Sequence, residues 1–94
     1  MLSQIPINLK EISKEDLDKE ILRVGMIAEL DAVSLYEQLA ATTNNENIKK
    51  VLLDIAKEEK THVGEFQALL LEGDEEQAEE LKKGKEEVDE LKKE

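Results

Sequence analysis

The chain has 94 residues, 24 Asp and Glu against 13 Lys and Arg for a formal charge of −11, and no cysteine. That length allows one small domain, which forms a sizeable core only if it folds compactly or pairs with another copy, and the missing cysteine excludes disulfides, zinc–thiolate sites and iron–sulfur clusters. An acidic balance with no Lys/Arg cluster argues against nucleic-acid or anionic-membrane partners, and it raises the local concentration of cations.

Tyr36 and Phe66 are the only aromatic residues, Gly and Pro are sparse, and Glu, Lys, Leu and Ala dominate. This composition predicts an all-α protein. No apolar run reaches the length of a membrane span, and the N-terminus lacks the basic-then-apolar layout of a signal peptide. A cytoplasmic protein is expected.

In chain order, Met1 to Ile12 reads as an extended arm, because Pro6 disfavours a helix through Ile5. Ser13 suits an N-cap, with Asp16 as the capping-box acid. A long helix is predicted from about Lys14 to Thr42. Its apolar positions, among them Leu17, Ile21, Ile27, Leu30, Val33 and Leu39, cover more than one face. Such a helix must bury two sides, one on its own chain and one on a partner. Thr42-Thr43-Asn44-Asn45 is a polar turn, short enough to imply an antiparallel hairpin. Asn44 or Asn45 can cap a second helix running from about Glu46 to Leu71, and Gly73 suits the position just past its end. Residues 74–94 are mostly Glu and Lys, with Leu81, Val88 and Leu91 near helical spacing. They predict a short third helix, interrupted or bent at Gly84, that lies on a neighbour or frays in solvent.

The chemistry concentrates at Glu59-Lys60-Thr61-His62. On a helix, Glu59 and His62 share one face about a turn apart, so a carboxylate and an imidazole can hold one ion. Glu29, in Ile27-Ala28-Glu29-Leu30-Asp31-Ala32-Val33, is a lone acid in an apolar stripe of the first helix. Glu-x-x-His on one helix with a single Glu on its neighbour is the repeating half of the di-iron carboxylate bundle, which needs two of each. One chain therefore carries half a site, and a two-fold dimer completes it. A buried carboxylate without compensation costs several kcal/mol. No Lys or Arg falls on the face of Glu59, so a metal is the simplest counter-charge. The competing reading puts both acids at a solvated rim and leaves His62 merely packing. Tyr36, two turns beyond Glu29, is either a core aromatic or a hydrogen-bond donor to a ligand carboxylate. Glu37, Glu58, Glu65 and Asp31 read as surface acids, with Asp31 the one to promote if there is an ion-entry position. Met26 reads as core filler. Mixed O and N ligands without sulfur suit Fe, Mn or Zn, and bridging carboxylates in a bundle core favour two irons.

At Ala28-Glu29-Leu30-Asp31-Ala32, Tyr36 and Glu58-Glu59-Lys60-Thr61-His62-Val63 the chain resembles the encapsulated ferritins, a two-helix branch of the ferritin-like superfamily. The likeness spans roughly residues 16–71 and includes the interval between Glu29 and Glu59. It implies a ferritin-like half-bundle, and with the chain-order reading one domain is expected: an arm over 1–13, a hairpin over 14–72 and a charged C-terminal helix over 73–94. Dimerisation then makes a four-helix bundle. It implies a di-iron ferroxidase centre between paired hairpins, with Glu59 bridging, Glu29 and His62 binding one metal each, and Tyr36 close by. It further implies Fe(II) oxidation by dioxygen, a ring of five dimers (a homodecamer), and iron storage delegated to a surrounding encapsulin shell. Ala28 and Asp31 stand where some members carry a pair of entry acids. The terminal Val88-Asp89-Glu90-Leu91-Lys92-Lys93-Glu94 does not look like a shell-docking peptide. The chain is therefore expected to be part of a ferritin–capsid fusion or to reach its shell another way.

The expected function is that of a ferroxidase using Fe, Glu29, Glu59 and His62. Two readings compete with it. A helical oligomerisation module would use the apolar faces alone and hold no metal. A rubrerythrin-like peroxide reductase would normally add a cysteine-ligated iron site, for which these residues supply no ligand.

Overall fold

The computed structural model describes residue 4 and residues 8–94. Residues 1–3 and 5–7 of the predicted N-terminal arm, including Ile5 and Pro6, lie outside them. Within them, Leu9–Glu11 form a single 3-10 turn rather than extended chain. Three α-helices follow: α1 over Lys14–Thr42, α2 over Glu46–Gly73 and α3 over Glu75–Lys92. No strand occurs among the described residues, so the fold is all-α as the composition predicts.

The helix ends have local causes. Ser13 stands at the start of α1 as expected, but its hydroxyl donates to Asp16 Oδ2 at 3.1 Å and caps no backbone N–H. The acid that would complete a capping box captures the capping hydroxyl instead. Of the two candidates, Asn45 is the cap of α2: its Oδ1 accepts from the N–H groups of Asn47 and Ile48 at 3.0 and 3.1 Å. Thr43 Oγ1 accepts from Asn45 N–H at 3.1 Å and tightens the turn. The two long helices therefore run antiparallel, joined by three residues.

The α2–α3 junction differs from its prediction. Gly73 does not take up a left-handed conformation; it is the last residue of α2, and no described glycine has positive φ. The turn is made by Asp74 alone, at φ −140° and ψ 88°. Its side chain accepts from Gln77 N–H at 3.0 Å and receives Arg23 of α1 at 3.3 Å. One residue thus ends α2, caps α3 and fastens the junction to α1. Gly84 does not interrupt α3, which runs through it unbroken. The same helix carries Lys83–Glu80 and Lys85–Asp89 ion pairs on either side of that glycine. Such pairs, three or four residues apart, support a helix that a lone glycine weakens.

The core is thin. Val33, Ala40, Ala56 and Leu70 are the buried apolar residues, while Leu30, Val51 and Leu69 are more than half exposed. A chain of this size that closes on itself has a radius of gyration of about 13 Å; here it is 16.7 Å, with extents of 46 × 46 × 20 Å. The first turns of α3 lie near the hairpin, where Gln77 and Leu81 share an apolar groove with Met26, Ile27, Leu30 and Leu70. Met26 thus sits among apolar neighbours, as predicted. From Glu79 to Glu94 every residue is exposed. No described helix is long and apolar enough to cross a membrane.

Candidate metal centre

The antiparallel pairing of α1 and α2 brings together the three side chains that the spacing singles out. Glu29, Glu59 and His62 each offer a ligand atom, and these atoms lie within 4.8 Å of one another. His62 Nδ1 is 3.4 Å from Glu29 Oε2 and 3.5 Å from Glu59 Oε2. Glu59 and His62 are presented by consecutive turns of α2, and Glu29 faces them across the seam from α1. The two carboxylates are largely enclosed, with side chains 20% and 19% exposed, and the imidazole is more open at 44%. Both acids are thus intermediate between core and open surface.

One atom of the trio lacks a hydrogen bond. Glu29 Oε2 is shut off from solvent and has no hydrogen-bond partner. No Lys or Arg among the described residues pairs with Glu29 or Glu59. The nearby Lys60 reaches instead across the helices to Glu37, at 3.0 Å. A carboxylate oxygen removed from water without a donor is destabilising unless something positive meets it. A cation between the three groups would do so. Donor atoms around a transition-metal ion, each at about 2.0–2.2 Å, lie no more than about 4.4 Å apart. The trio is therefore within a small side-chain adjustment of ligating geometry, and its donor set of two carboxylates and one imidazole fits iron, manganese or zinc.

The remaining predicted residues fare differently. Tyr36 is half-buried on α1, and among the described residues its hydroxyl makes no hydrogen bond to the trio. Asp31 is not a surface acid: it is buried and engaged by a polar partner. An entry acid has to meet solvent, so Asp31 does not fit that role within the single chain. Glu37 and Glu58 are exposed as predicted. Glu65 is exposed too, but it is not remote. It lines the open depression beside the centre together with Glu29, His62, Phe66 and Leu69. The sequence signal for this was its position three residues after His62, one turn further along the same side of α2.

Two antiparallel helices that place one Glu opposite a Glu-x-x-His, and that leave their outer faces uncovered, define half of a ferritin-like bundle. Comparison with known proteins agrees. The rubrerythrin family model matches residues 20–94. The crystal structure of the encapsulated ferritin domain from Pyrococcus furiosus superposes with a TM-score of 0.83 at 55% sequence identity, covering 97% of this chain and 95% of that one. A ferritin-like–encapsulin shell fusion protein of Pyrococcus furiosus is 61% identical over 82 residues, 87% of this chain. The encapsulin nanocompartment cargo protein EncC of Myxococcus xanthus is 39% identical over 57 residues, 61% of this chain. The chain spans 24% of the length of the first of these proteins and 44% of the second. The chain belongs to the encapsulated ferritins, within the ferritin-like superfamily.

Proposed function

We propose that the protein is a ferroxidase whose centre is completed when two copies pair. The observation that carries this is the buried, unpartnered oxygen of Glu29 facing His62 and Glu59, a trio that supplies half the ligands of a di-iron bundle. Pairing two hairpins brings two such trios together. In that arrangement Glu29, Glu59 and His62 of each chain would hold the ions, with Glu59 the ligand the two would share. Tyr36, with its hydroxyl not engaged by the described residues, serves as a donor to a ligand carboxylate in the paired state. Iron held there would supply the redox chemistry, with Fe(II) as electron donor and dioxygen as acceptor. The protein's share is to hold the carboxylates and imidazole in place and to keep the counter-charge that favours the higher oxidation state.

The uncovered apolar faces support the pairing. Fully burying a Leu or Ile contributes about 1.5–3 kcal/mol, and Leu30, Val51 and Leu69 are left mostly wet in the single chain. The relatives point to the setting: one is named as a fusion to an encapsulin shell and another as encapsulin cargo. The proposed working location is the interior of an encapsulin nanocompartment in the cytoplasm, with iron passed on for storage there. Assembly as a ring of five dimers belongs to the same proposal. The peroxide-reductase reading is weaker, because no cysteine is present in these 94 residues to build a second iron site.

The test is aerobic Fe(II) oxidation followed by absorbance, alongside native mass spectrometry with and without Fe(II). The expected result is rapid oxidation, two irons per pair of chains, and loss of both in Glu59→Ala and His62→Ala. Oxidation at the unmodified rate in either variant would refute the assignment. Metal-free protein indifferent to added iron would favour the assembly-module reading.

A further inference from the structure

Gly25 is the least economical residue in α1. It lies in the helix interior, where glycine is about 1 kcal/mol less favourable than alanine. Its φ is not positive, so the backbone conformation does not require it. What requires it is space. A Cβ at this position would stand 3.1 Å from Phe66 Cζ and 3.2 Å from both Cε1 and Cε2. Near-equal distances to the three atoms mean that the Cβ would stand over the face of the ring, so the ring lies flat against the α1 backbone. Glycines 64, 73 and 84 have nothing within 4 Å of such a Cβ, so this close approach is particular to Gly25.

The contact sits next to the metal centre on both helices. Gly25 is one turn before Glu29 on α1, and Phe66 is one turn after His62 on α2. Because the helices are antiparallel, Gly25–Phe66 and Glu29–His62 are successive rungs of one interhelix seam. Phe66 also lines the depression into which Glu29 and His62 open. An aromatic ring is rigid through its thickness, and its face rests on backbone, which cannot yield as a flexible side chain can. We propose that Phe66, seated on Gly25, acts as a strut that sets the separation of Glu29 from His62. That makes it a positioning residue for metal binding, an inference that rests on reading the trio as a metal site. A methyl group at position 25 forces a shift of a few tenths of an ångström. Either the ring swings into the depression beside His62 or α1 moves off α2. Both displace the Glu29 carboxylate relative to the imidazole, and liganding geometry tolerates only about 0.5 Å of error.

The experiment titrates the full-length protein with Co(II), read by visible absorbance, and compares it with Gly25→Ala, the double variant Gly25→Ala/Phe66→Leu, Gly84→Ala and Glu59→Ala. Circular dichroism monitors helicity, and crystal structures of the metal-free unmodified and Gly25→Ala proteins are compared. Gly25→Ala is expected to keep its helicity and lose about tenfold in Co(II) affinity, the scale of a disturbed supporting residue. The shorter side chain in the double variant makes room for the methyl and recovers most of that loss. Gly84→Ala, an equally favourable helix substitution far from the seam, leaves affinity unchanged. Unaltered affinity in Gly25→Ala overturns the proposal, and so does a loss that the double variant does not recover. If the unmodified protein binds no Co(II), or Glu59→Ala binds it equally well, the metal-site reading fails by itself. The strut is then judged on the metal-free crystals. A Glu29–His62 separation that differs between them supports it, and the same separation in both overturns it.

Discussion

The hairpin and α3 are stabilised in opposite ways. α1 and α2 are rich in apolar residues but bury few of them within the chain. Val33, Ala40, Ala56 and Leu70 are enclosed, while Ile27, Leu30, Leu39, Val51 and Leu69 are not. α3 has almost no core to contribute. It is held by its N-cap at Asp74, by ion pairs between its own successive turns, and by Arg23 reaching over from α1. The difference shows where each region's stability must come from. The hairpin carries apolar area whose burial awaits another surface, whereas α3 is supported by its own sequence and one anchor. The metal trio belongs to the first kind of region. On the proposed reading its ligands are half a set, as its apolar faces are half a core.

The largest effect expected from probing this contrast is at the centre itself. Removing a ligand by His62→Ala should lower Fe(II) affinity by more than the roughly 10–100-fold typical of supporting residues, as read by competition with a chelator. The same change should leave the melting of α3 untouched. If His62→Ala bound Fe(II) like the unmodified protein, the trio would be an ordinary polar cluster. Next in size is concentration dependence. A hairpin stabilised by a second copy melts at a temperature that rises with protein concentration. Circular dichroism melts over a hundredfold dilution series check this. A midpoint that does not move with dilution would mean that the thin single-chain core suffices, and the contrast between the two regions would collapse.

Much of this architecture was legible in the sequence. The shared face of Glu59 and His62 follows from spacing, because a 3.6-residue period places side chains on faces with little help from tertiary structure; the bounds of α1 and a cap at Asn44 or Asn45 follow from the turn residues, and Glu29 joins the pair through the di-iron bundle pattern. What escaped depends on contacts between distant residues. Asp31 looks like a surface acid from its neighbours in sequence, yet it is buried, and its burial is set by how the chain packs around it. Gly73 looks like a helix stop, but Asp74 takes over the turn because it can cap α3 and receive Arg23, 51 residues away, at the same time. Glu65 looks remote from the site until the crossing of the helices brings it to the rim of the depression. Gly25 carries no local signal at all, since its neighbour Phe66 lies on the other helix.

The anchor of α3 gives a more moderate effect. Asp74→Ala removes the N-cap and the Arg23 ion pair together. Loss of such a cap typically costs about 1–2 kcal/mol. The Arg23 pair adds little, because the guanidinium is 45% exposed and solvent screens the interaction. The loss should be confined to α3 and appear as faster amide hydrogen exchange from Gln77 onwards, while α1 and α2 exchange as before. Uniform acceleration through the hairpin would show that α3 supports the bundle more than its few contacts suggest.

The smallest effect tests whether α3 is as self-sufficient as its ion pairs imply. Gly84 lies mid-helix, and an added Cβ there meets nothing within 4 Å. Gly84→Ala should therefore realise close to the full difference in helix propensity, about 0.8–1 kcal/mol, because no neighbour has to move. The gain should slow amide exchange on both sides of position 84 without changing the melting of the hairpin or the uptake of Fe(II). A destabilised α3 would reveal that something packs against this glycine in the assembled protein. The exposed stripe of Leu81, Val88 and Leu91 would then be the surface that meets it, and α3, like the hairpin, would depend on a neighbouring copy for its stability.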